Sequence, residues 1–327
     1  MSATPATAAP GRLRVWRKRL RRRWKHKPGL VPWLMWQPLH GLLLLVGLLP
    51  VSVQCALADR VGRMAWWSAR RRRTGRAQIS RALPALSPAE RDRIVRASCG
   101  HLGRSAAEVL TIGHRSSKIM TEGIRFEPGA RETLQALRGQ PLMAVQPHLG
   151  SADGGCVGLA LAGVQPANPM RLPNNWYLGQ WITEARSNNG VQLLSRHGAV
   201  RGLLKQLKSG RCAVLATDQN AHHAPIFVDW FGYPAATERA AAALALKTGA
   251  AVVVFWCPRD AVAGSWTFGC TLLRGVSEPA PADDEAVRSL TLRLHQEMER
   301  AILRWPEQYL WIHDRYRTRP AEDAPIA

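Results

Sequence analysis

Apolar and polar positions alternate in three different ways along the 327-residue chain. Leu13, Trp16, Leu20 and Trp24 recur at steps of three and four, which draws one stripe along a helix whose remaining surface is arginine. Pro28 and Gly29 end that pattern. From Pro28 to Ala58 no Asp, Glu, Lys or Arg occurs. A span of that length exceeds the roughly 20 residues a bilayer requires, although Pro32, Pro38 and Pro50 interrupt it and Gln37 and His40 lie inside it. The expectation is a membrane anchor that spans once or dips in and returns; a buried core helix is the alternative reading. Residues 74–118 read as helical. Ser87-Pro88-Ala89-Glu90 has the form of a capping box with proline at the first helical position, and Ile94, Val95, Leu102, Val109 and Leu110 follow at helical spacing.

Beyond residue 140 the period changes. PLMAVQ (141–146), CAVLAT (212–217), AAVVVFW (250–256) and WTFGCTLL (266–273) are short apolar runs, and helical stretches lie at about 175–188, 198–208, 236–248 and 284–304. Strands alternating with helices predict an α/β fold with a largely parallel sheet. Asp283, Asp284 and Glu285 open the last helix, where carboxylates suit the positive end of the helix dipole. The implied organisation is a basic arm (1–30), a membrane anchor (31–60), a catalytic domain (61–320) and a short tail (321–327).

Charge sharpens this picture. Lys and Arg number 45 against 23 Asp and Glu, a net charge of +22. Residues 12–27 hold ten of the basic residues and no acid. Such a balance calls for an anionic partner. A basic helix with a Trp/Leu stripe suits the headgroup layer of an anionic membrane; a nucleic-acid-binding arm is the alternative, though no recognisable nucleic-acid motif accompanies it. Arg70–Arg73, after Trp66 and Trp67, read as a second headgroup contact. Thirteen Trp against four Tyr and five Phe leans the same way. The six cysteines form no CxxC pair, so neither a disulfide framework nor a structural zinc site is expected, and reduced thiols facing the cytosol are.

Sites in parallel α/β sheets lie beyond the carboxyl ends of strands. Two strand ends carry polar residues: Gln146-Pro147-His148-Leu149-Gly150-Ser151-Ala152-Asp153 and Thr217-Asp218-Gln219-Asn220. On a regular helix, positions five apart diverge by about 140°, but at a strand–loop–helix corner His148 and Asp153 can meet. A carboxylate on one imidazole nitrogen fixes the tautomer and leaves the other nitrogen to deprotonate a hydroxyl. Spacing alone does not separate a catalytic histidine from a structural one; the strand end and the glycine-rich turn make His148 the candidate base and Asp153 its candidate partner. The backbone N–H groups near Gly150 and Ser151 are candidate oxyanion donors. Arg171 and Arg186 are candidates for holding a phosphate or a carrier-linked thioester, or else are solvated basic residues. Asp218 is a candidate for orienting an arginine or capping a turn. His222, His223 and Asp229 read as a loop rather than as metal ligands. No metal or cofactor is expected.

From about residue 70 to 319 the chain resembles the bacterial lipid A late acyltransferases, the lauroyl/myristoyl transferase family. The resemblance rests on RALPALSPAE (81–90), the H-x4-D pair His148 and Asp153, Arg186-Ser-Asn-Asn-Gly190, LLKQLKSGR (203–211), ATDQN (216–220), FVDWFGYPAATERAAAALALKTGA (227–250) and PEQYLWIHDRYRTRP (306–320). The family's G-N-W reads Gly150-Ser151-Ala152 here, and Thr217 stands where it has proline before Asp218. The resemblance implies a glycerolipid-acyltransferase-like fold with an N-terminal membrane anchor, at the inner membrane with the catalytic domain facing the cytoplasm. It implies acyl carrier protein as donor and a lipid A precursor hydroxyl as acceptor, with other acceptor lipids as the alternative. It also implies His148 as base, Asp153 as its partner, and Arg186, Asp218 and Arg171 as substrate-site residues.

Overall fold

The computed structural model of the chain describes residues 24–115 and 117–320. The basic stripe predicted over 12–27 falls almost wholly outside them. Helix α1 (Leu30–Gly47) is long and apolar enough to cross a membrane. Eighteen residues extend about 27 Å at 1.5 Å each, close to the roughly 30 Å of a bilayer's hydrocarbon core. Pro32, Trp36, Leu43 and Gly47 form its buried face, while Leu30, Leu34, Met35, Leu42, Leu44 and Leu45 are exposed. An exposed apolar patch of that extent marks contact with lipid or a partner. The chain breaks at Pro50, and helix α2 (Val51–Arg63) begins. The Gln54 side chain donates to the Leu49 carbonyl at 2.8 Å, which satisfies an acceptor freed by the break.

Helices α3 (Ala69–Ala82) and α4 (Pro88–Ala107) follow, and a π-helical turn (Glu108–Ile112) and two short helices lead from α4 to the first strand. The capping box at Ser87 forms in full: its hydroxyl accepts from Glu90 N–H, and its own N–H donates to the Glu90 carboxylate at 2.8 Å. Helices α2 and α4 approach until Gly62 and Gly103 lie against each other's backbone. A Cβ on Gly103 would sit 2.0 Å from the Ala58 carbonyl oxygen, and one on Gly62 would sit 2.3 Å from that of Cys99. Asp59 closes the same seam between Arg63 at 2.5 Å and Arg104 at 3.2 Å. Because backbone cannot retreat as a side chain can, Gly103→Val is expected to cost about 3 kcal/mol. Thermal denaturation should show the midpoint falling by several degrees, and an unchanged midpoint would contradict this packing.

The rest of the chain folds around a seven-stranded sheet in the order β1-β9-β8-β2-β5-β3-β4. The strands are β1 (Ile124–Phe126), β2 (Leu142–Gln146), β3 (Pro166–Met170), β4 (Gln192–Ser195), β5 (Cys212–Ala216), β8 (Ala251–Trp256) and β9 (Trp266–Arg274). All neighbouring pairs run parallel except β8 and β9. Strands β6 (Ile226–Trp230) and β7 (Tyr233–Thr237) form a separate antiparallel hairpin. This is the predicted α/β, mostly parallel sheet flanked by helices. The chief helices of this part are α5 (Ala152–Leu161), α6 (Trp176–Asn188), α7 (Ala199–Lys208), α8 (Ala240–Thr248) and α9 (Asp284–Arg304).

Strands β2, β5 and β8 read as continuous apolar runs because both of their faces are covered. Met143, Val145, Val252 and Val254 pack into one core layer with α8 and α9; Leu142, Ala144, Val253 and Phe255 pack into the other with α5. Each fully buried Val, Leu or Met contributes about 1.5–3 kcal/mol relative to exposure. The tryptophans divide between two roles. Trp230, Trp266 and Trp311 are core residues, whereas Trp33 and Trp67 are exposed, so only part of the aromatic excess has the interfacial placement its count suggested. All six cysteines are free thiols.

Candidate active site

Strands β2 and β5 lie side by side at the centre of the sheet, with Gln146 opposite Ala216. His148 and Asp218 each stand two residues past that matched pair, so the parallel register carries them to the same level on adjacent strands, about 4.8 Å apart in backbone spacing. The Asp218 carboxylate meets His148 twice: Oδ1 lies 2.7 Å from Nδ1, and Oδ2 accepts the His148 backbone N–H at 2.8 Å. Asp218 is buried, whereas the His148 side chain keeps 33% of its surface open. The arrangement assigns the proton to Nδ1 and makes Nε2 the acceptor. Gln219 donates its side-chain amide to Nε2 at 3.2 Å, which agrees with that tautomer. Desolvation opposes charging the ring, but the Asp218 carboxylate and its hydrogen bond outweigh it and hold His148 above its ordinary range. For Asp218, desolvation pushes upward, and the His148 charge and hydrogen bonds prevail and hold the carboxyl below its usual value.

Asp153, expected on His148, is elsewhere. It pairs with Arg186, Nε to Oδ1 at 2.6 Å, each side chain only 14% exposed. The cause is local. Ser151 caps α5 by accepting from Gly154 N–H at 2.8 Å, so Asp153 falls in the first helical turn, facing α6 and Arg186 rather than the strand end. Arg186 also reaches Asn168 at 3.5 Å. Arg171 is exposed in the loop after β3 and is not brought to His148. The Gly150 and Ser151 N–H groups are already committed, donating to the carbonyls of Gln308 at 3.1 Å and Cys257 at 2.8 Å. The first N–H groups of α5, at Ala152 and Asp153, have no such acceptor among the described residues, and Ala152 borders the same notch as His148. Among the described residues no three His, Cys, Asp or Glu side chains are grouped to hold a metal.

A double substitution tests the Asp153–Arg186 assignment. Asp153→Asn alone leaves a largely buried guanidinium without its carboxylate; combined with Arg186→Met it does not. A coupling of about 1–3 kcal/mol is expected between the two sites in denaturation experiments. Independent, additive effects would contradict the pairing.

Residues 308–318 close over this corner. Gln308 receives Gly150 N–H, and its side-chain amide donates to the Arg259 carbonyl at 2.9 Å. Leu310 N–H donates to the His148 carbonyl at 3.2 Å. Arg315, only 1% exposed, donates to the carbonyls of Gln219 and Ala236 and to the Thr237 hydroxyl. Tyr316 donates to the Trp230 carbonyl at 2.6 Å. Beneath the notch, Arg259 grips Glu108 in a two-pronged ion pair at 2.6 and 2.7 Å, and Trp266 donates to the same carboxylate at 2.9 Å. Burial and the Arg259 charge push the neighbouring His101 down to about 3, which keeps it neutral. The notch, of about 100 Å³, runs from His148 past Leu102, Tyr309 and Leu310 and is mostly apolar.

A sequence profile of the family described as bacterial lipid A biosynthesis acyltransferase matches residues 23–318. The chain belongs to that family. The lipid A biosynthesis palmitoleoyltransferase of Escherichia coli K12 is 26% identical over 90% of this chain and 94% of its own length. The lauroyltransferase of the same organism is 28% identical over 88% and 92%. A lipid A biosynthesis acyltransferase of Haemophilus influenzae is 25% identical over 88% of each chain. The protein is therefore an acyltransferase. The matched span takes in both strand ends that carry His148 and Asp218, the Asp153–Arg186 pair and the closing segment up to Thr318. Gln219, Arg315 and Glu108 are site residues that pattern reading did not single out. Gln219, directly after Asp218 at a strand end, and Arg315, within the PEQYLWIHDRYRTRP string, carried a signal that could have found them, and Glu108 did not.

Proposed function

We propose that this acyltransferase moves a fatty acyl chain from the thioester of acyl carrier protein to a hydroxyl of a lipid A precursor, at the cytoplasmic face of the inner membrane. The observation that carries the mechanism is the 2.7 Å contact between His148 Nδ1 and the buried Asp218 carboxylate. As the acceptor hydroxyl replaces Gln219 at Nε2, His148 takes its proton and the oxygen attacks the thioester carbonyl. The tetrahedral oxyanion draws on the free N–H groups at the start of α5. The C–S bond then breaks, and the imidazolium returns its proton to the leaving thiolate. Asp218 orients the ring and stabilises its charged form. Asp153 and Arg186 act indirectly by fixing the first turn of α5, and no step passes through Arg171.

Three further features support the reading. The apolar notch beside His148 suits the acyl chain next to its carbonyl. The exposed apolar face of α1 suits lipid, and Asn175, donating to the Pro32 carbonyl at 2.8 Å, ties that helix to the catalytic domain. The charge of +22 suits an acidic carrier protein and an anionic membrane. Mass spectra of lipid extracts from cells with and without the gene test the acceptor. Lipid A lacking one acyl chain is expected in its absence. An unchanged lipid A profile, with another lipid losing an acyl chain, would reject this acceptor.

A further inference from the structure

A second concavity shares no lining residue with the notch. It measures about 430 Å³, within the roughly 300–1,000 Å³ of small-molecule sites. Three separate segments wall it: Arg70, Arg71 and Thr74 of the α3 start, Asn220 and His222 after β5, and His313 and Arg317 of the closing segment. These walls are fastened to one another. Gln78 of α3 donates to the His313 carbonyl at 3.0 Å, Asn220 N–H donates to His313 Nε2 at 3.0 Å, and Thr318 N–H donates to the Asn220 side chain at 2.9 Å. Asn220, on the cleft wall, lies two residues past Asp218 on the same strand end and next to Gln219, whose amide rests on His148 Nε2.

Basic residues outnumber acids on its wall. Arg72 turns away, with its guanidinium over the Trp66 ring at 5.6 Å and one nitrogen on the Trp66 carbonyl at 3.3 Å. Arg70 and Arg71 line the cleft together with Arg317, and no carboxylate among the described residues forms an ion pair with any of the three. Asp314 is the single acid on the wall. Arginines lining one concavity from two segments, together with Ser68 and Thr74, make up a donor set of the kind that recognises a phosphate monoester.

We propose that this cleft holds a phosphate of the acceptor's sugar headgroup, seated by Arg70, Arg71 and Arg317, so that an acceptor hydroxyl is delivered to His148 Nε2. The identity of the headgroup rests on the acyltransferase reading above; anion binding by the cleft does not. A concave site of this size fits a phosphorylated sugar rather than the convex face of an acidic protein.

The test measures binding to the full chain in detergent micelles. The probes are a phosphorylated glucosamine-disaccharide lipid and the same lipid after phosphatase treatment. The wild-type chain is expected to bind the phosphorylated form roughly tenfold or more tightly than the treated one. Arg71→Ala/Arg317→Ala should abolish that preference, and Arg71→Lys/Arg317→Lys should retain part of it. Equal affinity of the wild-type chain for the two lipids would overturn the proposal without reliance on any variant. Inorganic phosphate competing at the glycolipid's own concentration would make free phosphate the ligand and overturn the headgroup assignment. Equal competition by phosphatidylglycerol vesicles or by acyl carrier protein would do the same in favour of a surface. His148→Ala should keep the preference. If the preference holds while no acyl transfer occurs in the wild-type chain, the reaction reading fails and the phosphate site stands.

Discussion

His148→Ala is expected to lower turnover by about two to four orders of magnitude, the range a positioned general base contributes. The ring is partly open to solvent, its Nε2 meets only the Gln219 amide among the described residues, and its other nitrogen is held by Asp218 at 2.7 Å. The chain should remain folded. The residue-148 backbone N–H, which donates to Asp218 at 2.8 Å, survives the substitution, so the carboxylate keeps a partner. The stability cost should stay within about 1–3 kcal/mol. Steady-state acyl transfer by membranes containing equal amounts of folded protein checks this, with a denaturation midpoint as control. A loss smaller than roughly tenfold would leave His148 without the role of base.

Asp218→Asn should have the next largest effect and a more particular signature. The amide keeps the shape but not the charge, and it can present N–H to Nδ1, which favours the wrong tautomer. A fall in kcat of about two orders of magnitude or more is expected. The pH profile carries the sign. The working form of His148 is neutral, and its folded pKa lies above the ordinary value because Asp218 outweighs the opposing desolvation. Activity of the wild-type enzyme should therefore rise with pH through a midpoint above about 6.5 and level off beyond it. Without the carboxylate only desolvation remains, so the midpoint should move to lower pH while the plateau falls. Asp153→Asn should leave that midpoint in place, because Asp153 faces Arg186. A shift with Asp153→Asn and none with Asp218→Asn would restore the partner suggested by sequence spacing.

That spacing was misleading for a physical reason. His148 was legible because an apolar run ended in polar residues and a glycine-rich turn, the pattern of a site at a strand's carboxyl end. Its carboxylate was sought five residues on, where chain proximity is cheap. In the fold, one neighbour of strand β2 is β5, some seventy residues later, and Asp218 sits at the matching register position. Strand order is a property of the assembled sheet, and nothing within either segment encodes it. The double-buried strands β2, β5 and β8 were legible because burial on both faces demands continuous apolar residues. β3, with Pro166 and Pro169, and the β6–β7 hairpin, with Pro234, lack such runs and were not read as strands. The hairpin also explains why the helix expected from residue 236 begins at Ala240.

The closing segment shows a different limit. PEQYLWIHDRYRTRP was conspicuous as a string, yet its work lies in contacts made across the whole chain: Gln308 with Gly150, Leu310 with His148, Arg315 with Gln219 and Thr237, and Thr318 with Asn220. Each fixes backbone or side chains around the two catalytic candidates, and none forms between sequence neighbours. Gly150 belongs to the same construction. Its φ of 62° and its approach to the Cys257 carbonyl, 2.3 Å from where a Cβ would stand, leave no room for a side chain there.

The most direct test of the account is mass spectrometry of the lipids formed when membranes containing the full chain receive acyl carrier protein loaded with a fatty acid and a tetra-acylated lipid A precursor. A precursor heavier by one acyl chain is expected, formed by the wild-type enzyme and reduced at least a hundredfold by His148→Ala and Asp218→Asn. A mass gain that persists undiminished in both variants would contradict the proposed mechanism, and no gain from the folded wild-type chain would contradict the proposed reaction.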